Sequence, residues 1–318
     1  MKIKNILNPA SYYRRLKKIA ASCAVYAALY LHRLAQWLAQ KNLTWGIAAL
    51  PQRKNYIEAS MLPIAGCQLR EVPGEEASLY FYVTNPLTAF RVETFYTKEP
   101  ETLQWIEGFS DNEVLWDIGA NIGLYSVYAA KKRNAKVYAF EPSVFNLALL
   151  AKNIHANKLT RNITVVPLAL SRDSKSALFK IGGDDGVAEG GACSSFDADF
   201  DFSGNPFKTD FSYQTAGITG DALCSLNIAP EPNYIKLDVD GIEHYILAGL
   251  QCTLKKDTVK SILVECNDAF CEQASGIANM LAANGFALSI KTHSEMFDNG
   301  GVYSKTYNQI WIRERHNR

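Results

Sequence analysis

The chain has 318 residues, 48% of them hydrophobic, 20% charged and 11% aromatic. That balance excludes disordered, collagenous and disulfide-dense chains and leaves room for one large α/β domain or two smaller ones. A net charge of +1 conceals a basic arm on an acidic body: residues 1–60 hold ten Lys/Arg against one acid, Glu58, which leaves about −8 on the remainder. An acidic body repels phosphate, so nucleic acid is not expected as a partner, whereas the arm suits anionic membrane surfaces. The seven cysteines are odd in number and contain no C-x-x-C pair. This disfavours a zinc site and a full disulfide framework and suits a reducing cytosol.

Within the arm, Lys2, Lys4, Arg14, Arg15, Lys17 and Lys18 precede an apolar run, Ile19–Leu31, of 13 residues. No small-residue cleavage site follows it, and a membrane span needs about 20 apolar residues, so neither a signal peptide nor a transmembrane helix fits well. Arg15, Lys18, Ser22, Tyr26, Tyr30, Arg33 and Gln36 recur at steps of three or four. That spacing predicts an amphipathic helix with a basic, tyrosine-lined edge, suited to a membrane surface, a partner or the chain's own domain. Peripheral membrane contact through residues 10–40 is therefore one expectation, in a protein otherwise placed in the cytoplasm. The expected organisation is a basic helical extension over 1–50, a lead-in over 51–110 and a main domain over 111–318.

In the lead-in, Leu79–Val83 and Phe90–Phe95 alternate like strands around a turn at Asn85-Pro86, and a helix is expected to start within Thr97–Glu101. Short apolar runs follow at Val114–Ile118, Lys136–Phe140, Ile163–Pro167, Tyr234–Val239 and Ser261–Glu265, with helical stretches at about 123–132 and 143–157. Such alternation predicts a mostly parallel sheet with helices on both faces. Phe286–Ile290 and Gln309–Arg313 are two more candidate strands, after a helical stretch at Ile277–Ala283. Between Ser171 and Pro230 the pattern weakens. Sixty residues exceed an ordinary connection, so this is an insertion, with a hairpin expected near Ala177–Ile181 and either a lid or disorder in the rest.

The most informative stretch is Val114-Leu115-Trp116-Asp117-Ile118-Gly119-Ala120-Asn121-Ile122-Gly123. A strand ends, the chain turns on Gly119, and a helix begins just after Gly123. The dinucleotide fingerprint needs a middle glycine to seat a pyrophosphate, and it is absent. Asp117 would repel pyrophosphate and favour a ligand carrying a sulfonium or ammonium. The D-x-G-x-N-x-G loop is thus expected to bind S-adenosylmethionine through Asp117, Gly119, Asn121 and Gly123. Glu141 ends the second strand 22 residues after Gly119, a spacing that suits ribose hydroxyls. The stretch around Ala169 would contact the base.

These pieces resemble the FkbM family of S-adenosylmethionine-dependent methyltransferases. The likeness runs from about Arg91 to Arg313 and includes Lys98-Glu99-Pro100-Glu101-Thr102, the loop from Asp117 to Ser126, Phe140-Glu141-Pro142, Ala169-Leu170-Ser171, Ile235 to Glu243 and Leu263-Val264-Glu265. Asp240 stands where that family often has Glu. The resemblance implies an α/β class I methyltransferase (Rossmann-like) fold, with a seven-stranded, mostly parallel sheet and a reversed C-terminal hairpin. It also implies a hydroxyl acceptor on a sugar, glycolipid or natural product.

In such sheets ligands bind beyond the carboxyl ends of the strands, where Asp117, Glu141, Asp238 and Glu265 fall. The resemblance places Asp238 nearest the transferred methyl, as the first candidate for positioning the acceptor or removing its proton, followed by Asp240. His244 has the pKa of a base, but it lies about where a helix begins, which favours a surface or capping role. Lys236 is expected in a buried strand, in a structural ion pair with an Asp or Glu of a neighbouring strand. Asp238, Asp240, Asn267 and Asp268 have the ligand chemistry of a Mg²⁺ site, which the resemblance does not require, and no metal is expected. The competing readings are a nucleotide-binding module without catalysis and an NAD-dependent oxidoreductase.

Overall fold

A computed structural model describes residues 67–74, 77–183, 188–293, 301 and 303–314. The basic extension over 1–50 and residues 51–66 of the expected lead-in lie outside the described residues. Among those described, no helix is long and apolar enough to cross a membrane.

Strands β1 (Gln68–Val72) and β2 (Leu79–Val83) form an antiparallel pair. Helix α1 then spans Pro86–Glu93, where the alternation Phe-Arg-Val-Glu-Thr-Phe had predicted a strand. The correction lies in Asn85-Pro86, which is a helix start and not a turn. The Asn85 side chain accepts from Thr88 N at 2.8 Å, and Thr88 Oγ1 accepts from Asn85 N at 3.1 Å. Pro occupies the first turn, where no intrahelical donor is lost. Thr88, Val92 and Phe95 are buried at steps of four and three, a helical spacing. Helix α2 (Pro100–Glu107) begins where expected.

The main sheet contains β3 (Val114–Ile118), β4 (Lys136–Phe140), β5 (Ile163–Val166), β10 (Tyr234–Leu237), β11 (Ser261–Asn267), β12 (Phe286–Thr292) and β13 (Thr306–Arg313), in the spatial order β12-β13-β11-β10-β3-β4-β5. The pairs β10–β11, β10–β3, β3–β4 and β4–β5 are parallel, and β13 runs antiparallel to both β11 and β12. Both faces are covered, which is why these strands read as continuous apolar runs. Alternation then sorts the side chains between two cores. Leu115, Val137 and Tyr234 pack with α1, α2, helix α3 (Leu124–Arg133), helix α4 (Val144–Ala156) and the β1–β2 pair. Trp116, Ile118, Ile235 and Leu237 pack on the other face. Helices α5 (Gly220–Ser225), α6 (Glu243–Ala248) and α7 (Cys271–Ala283) contribute to that second core.

The 171–230 segment is largely ordered. β6 (Ala169–Leu170), β7 (Lys175–Ile181), β8 (Ser194–Phe196) and β9 (Phe211–Ile218) form a second sheet in the order β6-β9-β7-β8. Its Phe179, Ile181 and Phe196 enter the core shared with Trp116. The predicted hairpin strand near Ala177 is therefore the centre of a small sheet.

Candidate active site

The strand order reverses between β3 and β10, and the crevice beyond their carboxyl ends is where open α/β sheets bind ligands. A cavity of about 430 Å³ opens there, within the range of small-molecule sites. Gly119, Asn121, Glu141, Ala169, Asp238, Asp240 and Glu265 all line it. Gly119 has φ +85°, and a Cβ on it would lie 1.9 Å from the carbonyl oxygen of Asp238. The loop therefore runs against the end of β10 as only glycine permits.

Glu141 ties the loop to the second strand. Its carboxylate accepts from Asn121 N at 2.7 Å and from Ser143 N at 2.8 Å. Each oxygen keeps a further lone pair for a ligand. Burial pushes this carboxyl up to about 7 in spite of its backbone donors. Asn121 has φ +51° and spends its side-chain amide on the 188–193 loop, donating to Gly191 O at 2.9 Å. Asn146 grips the same loop, accepting from Gly190 N at 2.8 Å and donating to Gly191 O at 3.1 Å. Two hydroxyls on the cavity wall, Ser195 Oγ and Thr306 Oγ1, are buried and have no hydrogen-bond partner among the described residues. Buried polar groups are normally satisfied, so both call for a ligand or water.

A family model for the methyltransferase FkbM domain matches residues 117–288. The chain belongs to the FkbM methyltransferase family. A search of characterised proteins finds the hexuronic acid methyltransferase AglP of Haloferax volcanii, 26% identical over 220 residues, covering 67% of this chain and 79% of the relative. Among solved structures, the precorrin-6y C5,15-methyltransferase of Geobacter metallireducens is 15% identical, with a TM-score of 0.40 over 68% of this chain and 87% of that one. TYW2 of M. jannaschii in complex with AdoMet is 13% identical, with a TM-score of 0.39 over 78% and 87% of the two chains.

Three residues singled out from the FkbM sequence do not line the cavity: Asp117, Gly123 and His244. Asp117 shares the face of Leu115, so its side chain enters the core under α3. There Ser126 Oγ donates to Oδ2 at 2.5 Å, and Oδ1 has no hydrogen-bond partner among the described residues. Burial raises its pKa against the pull of Lys236. Gly123 is the N-cap of α3, with φ +86°, and a Cβ would lie 2.5 Å from Leu150 Cδ1 of α4. His244 is neither a surface nor a capping residue. It is buried among Phe200, Tyr245 and Phe270, both ring nitrogens lack hydrogen-bond partners among the described residues, and burial lowers its pKa. Of the residues weighed for Mg²⁺, Asn267 donates to Phe202 O and accepts from Ala269 N, while Asp268 pairs with Lys291 at 2.6 Å. Only Asp238 and Asp240 of that set face the cavity.

Lys236 forms an ion pair, donating to Asp238 Oδ2 at 2.7 Å, but this partner stands two residues along its own segment, while the acid of the neighbouring strand, Asp117, lies opposite it in the β3–β10 register. Burial would lower its pKa, but Asp238, Asp117 and Glu99 outweigh it and raise it. Burial would raise Glu99, yet Lys98 and Lys236 prevail and bring it to about 2. Asp240 and Glu265 are both raised, by burial first and then by Asp238. Glu243, which accepts from Val239 N at 3.0 Å and Gly241 N at 3.1 Å, is pushed by burial to about 7. Glu265 was visible in sequence only as a strand-end acid. Arg91 was concealed by its place in the misread strand and belongs to α1, whereas Lys98, part of the Lys98–Thr102 resemblance, lies in the bend between α1 and α2.

The raised carboxyls set a sign for stability against pH. Glu141, Glu243, Asp117, Asp240 and Glu265 all hold protons in the folded chain at pH values where the unfolded chain has lost them. Stability should therefore fall as pH rises from about 4.5 through about 7, the range over which Glu141 and Glu243 lose their protons in the folded chain. His244, held below 6.5, opposes this as a single group. The gain from Glu99 is already complete above about 4.5 and is lost only toward about 2. Urea midpoints at pH 5, 6 and 7 should decrease in that order. A steady increase would show that these carboxyls are not raised.

Proposed function

We propose that this protein is an S-adenosylmethionine-dependent O-methyltransferase acting on a hydroxyl of a sugar, glycolipid or natural product. The observation that carries the reading is the single cavity lined by the Gly119 loop and Glu141 together with Asp238, Asp240 and Glu265. When bound, S-adenosylmethionine supplies a methyl group made electrophilic by its sulfonium. Glu141 would accept from the ribose hydroxyls, and Leu168, Ala169 and Phe140 would give the base an apolar wall. Asp238, with one oxygen held by Lys236, offers the other to the acceptor. Asp240 and Glu265 bind protons more readily than ordinary carboxylates, the direction that a proton acceptor needs. Holding the acceptor in line contributes further, on the order of 7–11 kcal/mol at best. His244 is left out of this assignment because it does not reach the cavity wall. The sugar acceptor is supported by the likeness to a hexuronic acid methyltransferase. The basic extension suits a lipid-linked acceptor at a membrane surface.

Calorimetric titration with S-adenosylhomocysteine and NAD tests the cofactor. The first should bind and the second should not. Glu141→Ala should weaken the first about 10- to 100-fold, as expected for lost hydrogen bonds to a charged group. Binding of NAD without S-adenosylhomocysteine would overturn the reading in favour of an oxidoreductase. Transfer of labelled methyl to neutral and acidic glycosides then tests the acceptor, and methyl appearing on nitrogen or carbon would overturn O-methylation.

A further inference from the structure

Beside the main cavity, a smaller recess of about 40 Å³ lies against the glycine loop. Its walls include Arg91, Lys98, Glu99, Tyr125, Lys236 and Asp238. It shares Arg91, Lys98, Glu99, Gly119, Asn121 and Asp238 with the cavity, so the two are continuous. Its volume is room for about three water-sized groups.

Three cations meet there, and two are matched. Lys236 bonds Asp238, and Lys98 bonds Glu99 at 2.6 Å. Arg91 has no acid within ion-pair distance among the described residues. Its Nε donates to Gly190 O at 2.7 Å, which orients the guanidinium, and its terminal nitrogens make no hydrogen bond to the described residues. A guanidinium fixed at Nε and open at both terminal nitrogens presents a planar fork matched to a carboxylate or a phosphate. A phosphate dianion would be repelled by Asp238 and Glu99 on the same walls. A head group that brings a carboxylate and an ammonium together meets both signs of charge, and its few atoms suit the recess. That is the chemistry of an α-amino acid.

We infer that Arg91, supported by Lys98, holds the α-carboxylate at the amino-acid end of the cofactor in this recess, with Glu99 facing its ammonium. The inference rests on S-adenosylmethionine being the cofactor. It places a cofactor-binding residue on α1, ahead of the span 117–288 that the family model matches. It also gives Arg91 two simultaneous tasks, since the same guanidinium anchors the Gly190 loop that Asn121 and Asn146 hold.

The test compares two ligands on the full chain by calorimetry. S-adenosylhomocysteine carries the amino-acid head, and 5′-methylthioadenosine lacks it. Arg91→Ala should weaken S-adenosylhomocysteine about 10- to 100-fold, as a lost charge-assisted pair does, and change methylthioadenosine by less than about 2-fold. Arg91→Lys, which keeps the charge without the fork, should fall between and carries the same comparison if Arg91→Ala does not fold. Equal weakening of both ligands would show that Arg91 acts only through the Gly190 loop and would overturn the inference. So would no weakening of either. If the unaltered protein bound neither ligand, the cofactor reading itself would fall and take this inference with it.

Discussion

Gly119→Ala is expected to cost at least about 100-fold in S-adenosylhomocysteine affinity and to lower the thermal midpoint by about 5–10 °C. Two penalties add. The residue sits at φ +85°, where a Cβ costs on the order of 1 kcal/mol. The Cβ would also lie 1.9 Å from the Asp238 carbonyl oxygen and 3.1 Å from a Val239 side-chain carbon. The first contact is with backbone, which has little freedom to move. Asp238 N donates to Ile118 O at 3.1 Å, and Leu237 pairs with Ile118 in the parallel register, so the end of β10 is stitched to β3. Relief requires opening that seam or lifting the loop into the cavity. Lifting the loop would draw Asn121 N away from Glu141 and misplace the proposed ribose contact. Overpacking of this kind adds about 1–3 kcal/mol. Gly301→Ala is the control, since a Cβ there meets nothing within 4 Å. Binding by Gly119→Ala within about 3-fold of the unaltered protein would mean that the loop does not seat the ligand.

Lys236→Met should destabilise the chain by about 3–5 kcal/mol, the scale of breaking a buried ion pair from one side. Lys236 is 1% exposed and is the shared cation of Asp238, Asp117 and Glu99. A methionine fills similar space without charge, so the loss would report electrostatics more than a cavity. Asp117 would keep only its Ser126 contact, and its Oδ1 already lacks a hydrogen-bond partner among the described residues. Glu99 would lose one of the two cations that hold its carboxyl near 2, so the acid limb of unfolding should move to higher pH. Asp238 would lose the bond that fixes one of its oxygens, and ligand affinity should fall with stability. A urea-derived stability within about 1 kcal/mol of the unaltered protein would show that the three acids do not depend on this lysine.

The two variants differ in how far their sites could be read from the chain. Gly119 was legible because a strand, a glycine turn and a helix start are contiguous, and each obeys a local rule. Glu141 was legible for a related reason: one βαβ unit sets the spacing between the first two strand ends. Lys236 was legible as a buried cation, but its partners were not, since Asp117 and Glu99 are brought to it by the β3–β10 pairing and by α2. The misreading of Phe90–Phe95 had a local cause. A short amphipathic helix and a short strand look alike when apolar residues are few, and the decisive signal was the Asn85–Thr88 capping box. His244 was misjudged because its burial depends on Phe200 and Phe270, which come from the inserted segment and from the turn before α7.

The sequence alone determined the family, the α/β alternation, the glycine loop and the acids at the strand ends, because strand periodicity, turn chemistry and helix starts act over a few neighbouring residues. Only the tertiary structure decided that Asp117 turns into the core while Glu141 and Glu265 reach the cavity. It also decided that the 171–230 segment builds a second sheet and that Arg91 has no acid within ion-pair distance among the described residues. Each of these depends on which face a residue shares with its sheet neighbours and on contacts between segments far apart in the chain, and no local pattern encodes those pairings.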